Sequence, residues 1–328
     1  MTVLVAGGAG YIGSHMVWKL LDAGEDVVVV DRLSTGFEWA VPPEAELVVG
    51  DIADQDLVEA TIRRTGVDAI IHFAGSIVVP ESVSDPLGYY LNNTVRSRAL
   101  IESAVRTGVP HFIFSSTAAV YGGGHGAAVA EDAPTLPESP YGTSKLMTEL
   151  MLRDAAAAHP LAYTALRYFN VCGADPKGRT GQSTRGATHL IKVACETATG
   201  KRPFMEVYGT DYPTRDGTCI RDYIHVWDLA EAHLLALKRL RAGGGSLVAN
   251  CGYGQGYSVL EVIDAVRRNV RDDLDVRIAG RRPGDPASIV ANADRARTEL
   301  GWRPELDDLD LIVRHAHDWE EALKRRNS

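Results

Sequence analysis

Short apolar segments alternate along the chain with longer segments in which apolar residues recur every three to four positions. The short segments predict strands at residues 2–6, 26–30, 46–49, 69–72, 112–114, 164–167 and 247–251. The longer segments predict helices at residues 14–23, 54–65, 91–107, 141–158, 187–199, 228–241, 258–269 and 309–326. Strands that alternate with helices form a parallel, doubly wound sheet of the α/β class, and such a sheet binds ligands where its strands end.

Glycines follow the first predicted strand at a regular spacing. Gly7 permits a tight turn, Gly10 lets the backbone approach a pyrophosphate at the next helix N-terminus, and Gly13 lets that helix pack closely on the sheet. Asp31 ends the second strand eighteen residues beyond Gly13, where it can accept both ribose hydroxyls. Its carboxylate repels a 2′-phosphate and so favours NAD over NADP, although Arg32 beside it would soften that preference. We therefore predict a Rossmann-type dinucleotide-binding domain.

Further candidate contacts stand at the ends of the next strands. Asp51 is placed to meet the adenine, and residues 73–75 would let the backbone pass beneath the cofactor. Asn92 and Asn93 open a predicted helix, where they are either cofactor contacts or simple helix caps. Both alternatives stay open at the level of sequence.

Tyr141 and Lys145 have the spacing of neighbours on one helix face, and Pro140 suits the first turn of that helix. A phenol has a pKa of about 10, too high for a base at neutral pH. A nearby ammonium lowers that pKa, so this pair suits proton exchange near neutrality. The alternative is an exposed helix with a chance tyrosine and lysine.

The regular alternation loosens after Asn170. We assign residues 1–175 to the dinucleotide-binding domain and residues 176–328 mainly to a smaller substrate-binding lobe. Part of that later chain, roughly residues 223–251, is expected to return to the first sheet. The polar stretch at residues 208–223 is expected to be irregular.

Composition narrows the class of protein. The net charge of −9 over 328 residues argues against a broad nucleic-acid surface, so anionic ligands must meet local arginines or helix N-termini. The four cysteines form no C-x-x-C pair and are expected to be reduced thiols in a cytoplasmic protein, with no metal site. No apolar run approaches a membrane span, and because a strand is predicted at the start, no signal peptide is expected.

Three motifs coincide: the Gly-x-x-Gly-x-x-Gly turn, the Ser-Ser-Thr of residues 115–117 and the Tyr-x-x-x-Lys of residues 141–145. This combination resembles the extended short-chain dehydrogenases and, within them, the UDP-glucose 4-epimerase family. The most specific similarity lies in residues 211–214 and 217–226, and the resemblance runs essentially end to end.

The resemblance implies reversible epimerisation at C4 of a UDP-hexose, with NAD bound throughout and regenerated in each turnover. Tyr141 would take the proton of the sugar 4′-hydroxyl while C4′ gives hydride to the nicotinamide. Lys145 would lower the phenol pKa and hold the nicotinamide ribose, and Thr117 would bind the sugar oxygen and relay its proton. The 4-keto sugar would then turn over and take the hydride back on its other face.

The predicted cofactor contacts are Gly7, Gly10, Tyr11, Ile12, Gly13, Asp31, Asp51, Ile52, Phe73, Ala74, Gly75, Asn92, Ser115, Tyr141, Lys145, Tyr168 and Phe169. The predicted UDP-sugar contacts are Ser116, Thr117, Tyr141, Asn170, His189, Leu190, Tyr208, Arg221, Arg282, Asp285 and Ile289. Arginine forks suit a diphosphate because two parallel donors meet two oxygens. The alternatives are that Arg221 and Arg282 are solvated surface charges and that His189 is a helix residue with satisfied hydrogen bonds.

Two positions depart from the family pattern. Ile77 stands where the family often has a lysine that contacts the cofactor, so NAD would be held less firmly. Ile289 stands where some members carry tyrosine, and its smaller side chain would leave room for a 2-N-acetyl group. The resemblance also implies a homodimer in which the helices near Asn92 and Tyr141 pair with their symmetry mates in a four-helix interface, unless their apolar faces meet the second lobe.

Other functions remain open. A 4,6-dehydratase would need acid and base groups where this chain has Ala118 and Ala119. An epimerase for UDP-glucuronate or a UDP-pentose is a closer alternative, since polar groups of the sugar site decide between them. A non-catalytic NAD-sensing module is a remote one, because such a module would be expected to lose Tyr141 or Lys145.

Overall fold

The described part of the chain, residues 1–123, 128–282 and 285–326 of a computed structural model, is built from alternating strands and helices. The strands are β1 (Thr2–Ala6), β2 (Asp26–Asp31), β3 (Glu46–Val49), β4 (Val67–His72), β5 (His111–Thr117), β6 (Ala162–Tyr168), β7 (Asn170–Cys172), β8 (Met205–Tyr208), β9 (Ile220–His225), β10 (Leu247–Cys251), β11 (Gly256–Ser258), β12 (Val276–Ala279) and β13 (Ser288–Ile289). The helices are α1 (Tyr11–Asp22), α2 (Gln55–Thr65), α3 (Val79–Ser84), α4 (Pro86–Tyr89), α5 (Arg96–Thr107), α6 (Pro140–Ala158), α7 (Leu190–Ala198), α8 (Val226–Arg241), α9 (Val259–Asn269), α10 (Asp294–Glu299) and α11 (Leu309–Arg326).

The central sheet is parallel and has the order β10-β6-β5-β4-β1-β2-β3. The strand order reverses between β1 and β4, which opens a crevice at their carboxyl ends. This sheet confirms the predicted α/β, doubly wound fold class. β10 lies beside β6, and α8 packs on α1, so the chain returns to this sheet over residues 226–251.

Alternate side chains of β1 enter two separate cores. Val3 and Val5 join the cluster that includes α1 and α8, whereas Leu4 and Ala6 join the cluster that includes α2 and α5. All four are fully buried, and each large aliphatic side chain contributes about 1.5–3 kcal/mol through burial. Because helices cover both faces, β1 is apolar at residues 3–6.

The second lobe contains a small sheet where the sequence predicts irregular chain. Its central strand β9 pairs in parallel with β7 and β13 and antiparallel with β11, and β8 pairs with β12. The expectation of an irregular stretch is wrong here because the buried carboxylate of Asp222 is satisfied by backbone N–H groups. Tyr253 and Gly254 donate to it at 2.9 Å and Ala291 at 3.1 Å. A charged residue can therefore occupy a central strand.

The four cysteines are free thiols and are buried, in agreement with the predicted reduced state. No helix among the residues that the structure describes has both the length and the apolar character that a membrane span requires.

Candidate active site

The glycine turn between β1 and α1 forms the floor of the candidate cofactor site. Gly7 has a φ of +82°, and a Cβ atom on it would lie 2.6 Å from the backbone nitrogen of Ala74. A Cβ atom on Gly13 would overlap the carbonyl oxygen of Gly7. Only glycine therefore allows the tight turn and the close approach of α1, as the spacing predicts.

The first turn of α1 offers backbone donors to an anion. Ser14 N–H makes the first helical bond, to the Gly10 carbonyl at 2.9 Å, so the N–H groups of Tyr11, Ile12 and Gly13 precede the helical ladder. Among the described residues no side chain caps this end, and the turn itself holds no acid. This arrangement fits the pyrophosphate of a dinucleotide.

The carboxylate of Asp31 is oriented by the backbone at the end of β2. Ala9 N–H donates to one oxygen at 3.0 Å, and Leu33 N–H donates to the other at 2.8 Å. Leu33 adopts a left-handed φ of 57° to make this bond. Each oxygen keeps a further lone pair for a ribose hydroxyl.

The predicted adenine contact Asp51 is already paired. Arg96 Nε donates to its Oδ2 at 2.8 Å, and Arg32 Nη1 lies 3.7 Å from the same oxygen. Arg32 is thus directed toward Asp51 as well as standing beside Asp31. Ile52 packs its side chain into the core, so only its backbone faces this rim of the site.

Asn92 and Asn93 lie within a π-helical turn, Tyr90–Val95, in a helical run that begins at Pro86. The helix-cap alternative is therefore wrong. Asn92 Nδ2 donates to Ser76 Oγ at 2.8 Å. The buried Asn93 accepts from Ser76 N–H at 2.7 Å and donates to the Ser76 carbonyl at 2.9 Å. These bonds hold the chain beyond Gly75 against the helix.

The 73–75 turn is also held from the sheet side. The N–H groups of Phe73 and Ala74 both donate to the Ala6 carbonyl, at 2.8 and 3.0 Å. Ile77 follows with nearly half of its side chain exposed, as befits a position at the open edge of the site.

α6 and β5 bring the three predicted catalytic residues together. Ser139 caps α6 through a bond from Gly142 N–H, and the Tyr141 hydroxyl is hydrogen-bonded to the Thr117 side chain. Lys145 is buried one turn further along α6, where its Nζ donates to the Ser115 carbonyl at 2.9 Å.

The pKa directions differ from the expected ones. Burial raises the pKa of Tyr141, and the hydrogen bond from Thr117 opposes that rise. Burial lowers the pKa of Lys145 to about 8. The expectation that Lys145 lowers the Tyr141 pKa is wrong, because the ammonium donates to the Ser115 carbonyl and burial is the main influence on the phenol.

The Ser116 hydroxyl is buried and bonded to another side chain, so its predicted substrate contact is wrong. Successive strand residues point to opposite faces, and Ser116 lies between Ser115 and Thr117 on β5. Its buried hydroxyl donates to Glu149. Glu149 also forms a buried, bidentate ion pair with Arg167, with distances of 2.7 and 3.0 Å.

The predicted contacts at the end of β6 are both buried. The Tyr168 hydroxyl is hydrogen-bonded to His233 and to the Ser115 side chain, which places Tyr168 beneath the catalytic group. The Phe169 side chain packs in an apolar cluster with Ala118 and Ile289.

A small cleft lies between β7 and α7. Asn170, His189 and Leu190 line it, as does Tyr223 of β9. His189 Nδ1 is 2.7 Å from Gln182 Nε2, and burial lowers the pKa of the imidazole. His189 is thus both hydrogen-bonded and at the cleft, so the two alternatives for it coexist.

A cationic cluster adjoins this cleft, because Arg221 lies two residues before Tyr223 on β9 and shares its face. Arg221 is largely buried and donates to the carbonyls of Ile220 and Pro286, at 2.9 and 2.8 Å. Its Nη2 is 3.5 Å from Asp285. Arg221 is therefore not a solvated surface charge.

Arg282 lies over the Tyr208 ring, 3.6 Å from its centroid, which restricts the guanidinium. Ile289 pairs with Arg221 in the β13–β9 ladder and is buried. Of the predicted UDP-sugar residues, Asn170, His189 and Leu190 therefore line the cleft, whereas Arg221 contacts Asp285 and Ile289, and Arg282 contacts Tyr208.

The glycine turn, the acid at the end of β2 and the Tyr141–Thr117–Lys145 trio define a dinucleotide-dependent enzyme that moves a hydride and a proton in one site. The chain belongs to the NAD dependent epimerase/dehydratase family, whose model matches residues 3–252.

Known proteins of that family are similar over the whole chain. A UDP-glucose 4-epimerase of Azospirillum brasilense is 57% identical over 98% of this chain and 93% of its own. The crystal structure of UDP-glucose 4-epimerase from Brucella ovis in complex with NAD is 44% identical, with a TM-score of 0.94 over 97% of both chains. The UDP-Glc/GlcNAc 4-epimerase of Campylobacter jejuni is 46% identical, with a TM-score of 0.85 over 98% of this chain and 99% of that one.

The sequence reasoning missed two residues that hold the site in place: Glu149 and Arg167. Glu149 lies four residues after Lys145 on the same helix face, a spacing that would have revealed it. Arg167 lies opposite Ser116 in the β5–β6 register, which becomes visible only in the folded sheet.

Proposed function

We propose that the protein interconverts UDP-galactose and UDP-glucose by epimerisation at C4, with NAD as the hydride carrier. The observation that carries this proposal is the hydrogen bond between the Tyr141 and Thr117 hydroxyls beside the buried Lys145. The hydride that leaves C4′ returns to the same carbon, so no net oxidation occurs and no second redox substrate is needed. The similarity to curated UDP-glucose 4-epimerases over the whole chain supports the same substrate.

Bound NAD supplies the acceptor for the C4′ hydride and later the donor. Tyr141 acts as its phenolate, which takes the proton of the 4′-hydroxyl and becomes the neutral phenol. Thr117 bonds to the same oxygen and passes the proton between sugar and phenol. Lys145 favours that phenolate in this proposal by turning its ammonium from the Ser115 carbonyl toward the Tyr141 oxygen. Return of the proton after the 4-keto sugar has turned completes the inversion.

Residues of the second lobe hold the UDP moiety in this proposal. Arg221 and Arg282 present guanidinium groups that suit a diphosphate, and the adjoining cleft offers Asn170 and His189. With this arrangement we propose a cofactor domain over residues 1–175 and a sugar-binding lobe over 176–328, with residues 226–251 belonging to the cofactor side.

UDP-N-acetylhexosamines are proposed as further substrates. Ile289 packs in the same apolar cluster as Ala118, the residue after Thr117, and its side chain lacks the bulk of an aromatic ring. The similar Campylobacter jejuni enzyme is described as a UDP-Glc/GlcNAc 4-epimerase. We expect UDP-N-acetylglucosamine to yield its galactosamine epimer, and we expect Ile289→Tyr to lose this activity while UDP-galactose turnover remains. Equal loss of both activities would contradict the space argument.

A homodimer is proposed from an apolar face. Val83, Leu87, Leu91 and Val95 recur at four-residue intervals and are at least half exposed. Met147, 40% exposed on α6, extends the same face beside the π-helical turn. A second copy would cover this face with a four-helix contact. A cytoplasmic setting suits the four free thiols.

Light scattering after size-exclusion chromatography tests the dimer. The native protein is expected at twice the chain mass, and Leu91→Glu is expected at the chain mass. Ile278→Glu, at an equally exposed apolar position on β12, is the matched control and should remain dimeric. A monomeric native protein would contradict the proposal.

The activity is tested with UDP-galactose and no added cofactor, with UDP-glucose measured by chromatography. Tyr141→Phe should reduce the rate about 10²–10⁴-fold, the usual contribution of a positioned acid–base group. Tyr163→Phe removes a phenol hydroxyl near the start of β6 and serves as the control. Turnover of UDP-glucuronate or a UDP-pentose instead would change the assigned substrate but leave the proposed mechanism unchanged. Inactivity on every UDP-sugar would favour an NAD-binding module.

A further inference from the structure

Four charged residues meet at the adenosine end of the cofactor site. Gly50 N–H donates to the Asp31 carbonyl at 3.0 Å, so the ends of β2 and β3 bring Asp31 and Asp51 to one edge. Arg96 and Arg32 both face Oδ2 of Asp51, at 2.8 and 3.7 Å. The two carboxylates and two guanidinium groups balance in charge.

Each arginine is also held by a second partner. Arg32 Nε donates to Ser34 Oγ at 3.2 Å, and Arg96 Nη1 donates to Asn92 Oδ1 at 3.2 Å. The Arg32 side chain is 41% exposed and the Arg96 side chain 25%, so Arg32 is the one with freedom to turn toward a ligand. The negative charge of Asp51 holds the Arg32 side chain at the edge of the cofactor site.

A 2′-phosphate on the adenosine ribose is the group that an arginine at this position would recognise. We infer that Asp51, together with Asp31, determines the preference for NAD over NADP, because it holds Arg32 and Arg96 and neutralises them. Asp31 repels the phosphate directly, whereas Asp51 acts by occupying the cations that would attract it. This inference deepens the cofactor site of the proposed function and rests on it.

Asp51→Asn tests the role of the charge. The amide keeps an oxygen that can accept from Arg96, but the local charge changes from zero to +1, which frees Arg32 for a phosphate that carries about two negative charges. The NADP to NAD ratio in the bound cofactor is expected to rise at least about tenfold, the effect of one charge-assisted hydrogen bond.

The assay measures bound nucleotide and needs no turnover. Each purified variant is incubated with excess NADP⁺ and isotope-labelled NAD⁺ in equal amounts until the resident cofactor has exchanged, then desalted, and the released nucleotides are separated by chromatography. Asp56→Asn makes the same charge change at an exposed position in the first turn of α2 and should leave the ratio unchanged.

The double variant Asp51→Asn with Arg32→Gln should restore the low ratio of the native protein. An unchanged ratio in Asp51→Asn would overturn the inference, as would a raised ratio that survives in the double variant. A native protein that holds neither nucleotide would overturn the cofactor site and this inference together. Retained NAD without UDP-sugar turnover would contradict only the proposed reaction.

Discussion

The buried ion pair between Glu149 and Arg167 offers a sharp test of how the active-site helix is held on the sheet. Glu149 lies on the same face of α6 as Tyr141 and Lys145, and its partner lies on β6. The two side chains are 6% and 7% exposed, and Glu149 receives two Arg167 bonds and the Ser116 hydroxyl. Glu149→Gln keeps the shape of the side chain but leaves a guanidinium buried without its counter-ion.

Removing one partner of such a pair costs about 3–5 kcal/mol, because the remaining charge stays desolvated. With an unfolding entropy of about 2.1 cal/mol/K per residue, each kcal/mol lowers the Tm of a 328-residue chain by roughly 1.5 °C, so a fall of about 4–7 °C is expected. Scanning calorimetry at neutral pH measures the shift. Replacing both partners with apolar residues, Glu149→Leu with Arg167→Met, should recover most of the loss, since neither charge then needs a partner.

The matched control is the exposed pair of Arg98 and Glu102 on α5, where the arginine side chain is 61% exposed. Arg98→Gln should change stability by less than about 1 kcal/mol, as surface ion pairs do. Two results would show that the ion pair does not hold α6 on the sheet. One is a fall in Tm for Glu149→Gln no larger than that for Arg98→Gln. The other is a double variant whose fall in Tm equals the sum of the falls for the two single substitutions.

Three further outcomes follow from the structure. Burial lowers the pKa of His15 and of His233 to about 4. Between about pH 6.5 and 4 the unfolded chain therefore binds more protons than the folded protein, and Tm should fall as the pH drops through that window. A Tm that stays constant there would contradict this expectation. Burial lowers the pKa of Lys145 to about 8, so kcat/KM should decline as pH rises past that value, and Lys145→Met should remove this decline as well as most of the activity. Asn93→Ala should leave Ser76 groups unpaired and speed the loss of NAD on dialysis, whereas Asn269→Ala, on the remote α9, should not.

Much of the cofactor site could be predicted because its determinants are local. Gly7 and Gly13 are separated by one turn and one helix start, and Asp31 follows after one helix and one strand. The hydrophobic alternation of this region has the regular periods of buried strands and amphipathic helices. The catalytic Tyr141 and Lys145 lie one helical turn apart, so their four-residue separation in the sequence also predicts that they share a helix face.

The errors came where contacts join distant segments. Ser116 is predicted to contact the substrate, but its hydroxyl donates to Glu149 of α6 instead. The strand β9 was expected to be irregular, and backbone groups from residues 253, 254 and 291 stabilise the acid within it. A helix cap was one of two alternatives left open for Asn93, and it is excluded because the helical run begins earlier, at Pro86.

The sequence by itself determined the parallel sheet, the glycine turn and the catalytic pair, since short-range sterics and the helix and strand periods specify them. The tertiary structure alone decided where Arg32, Ser116 and Arg167 point. Each of these side chains is oriented by a charge or a hydrogen-bonding group from another element. The energy of that pairing depends on the distance between the two groups in space, and this distance cannot be predicted from their separation along the chain.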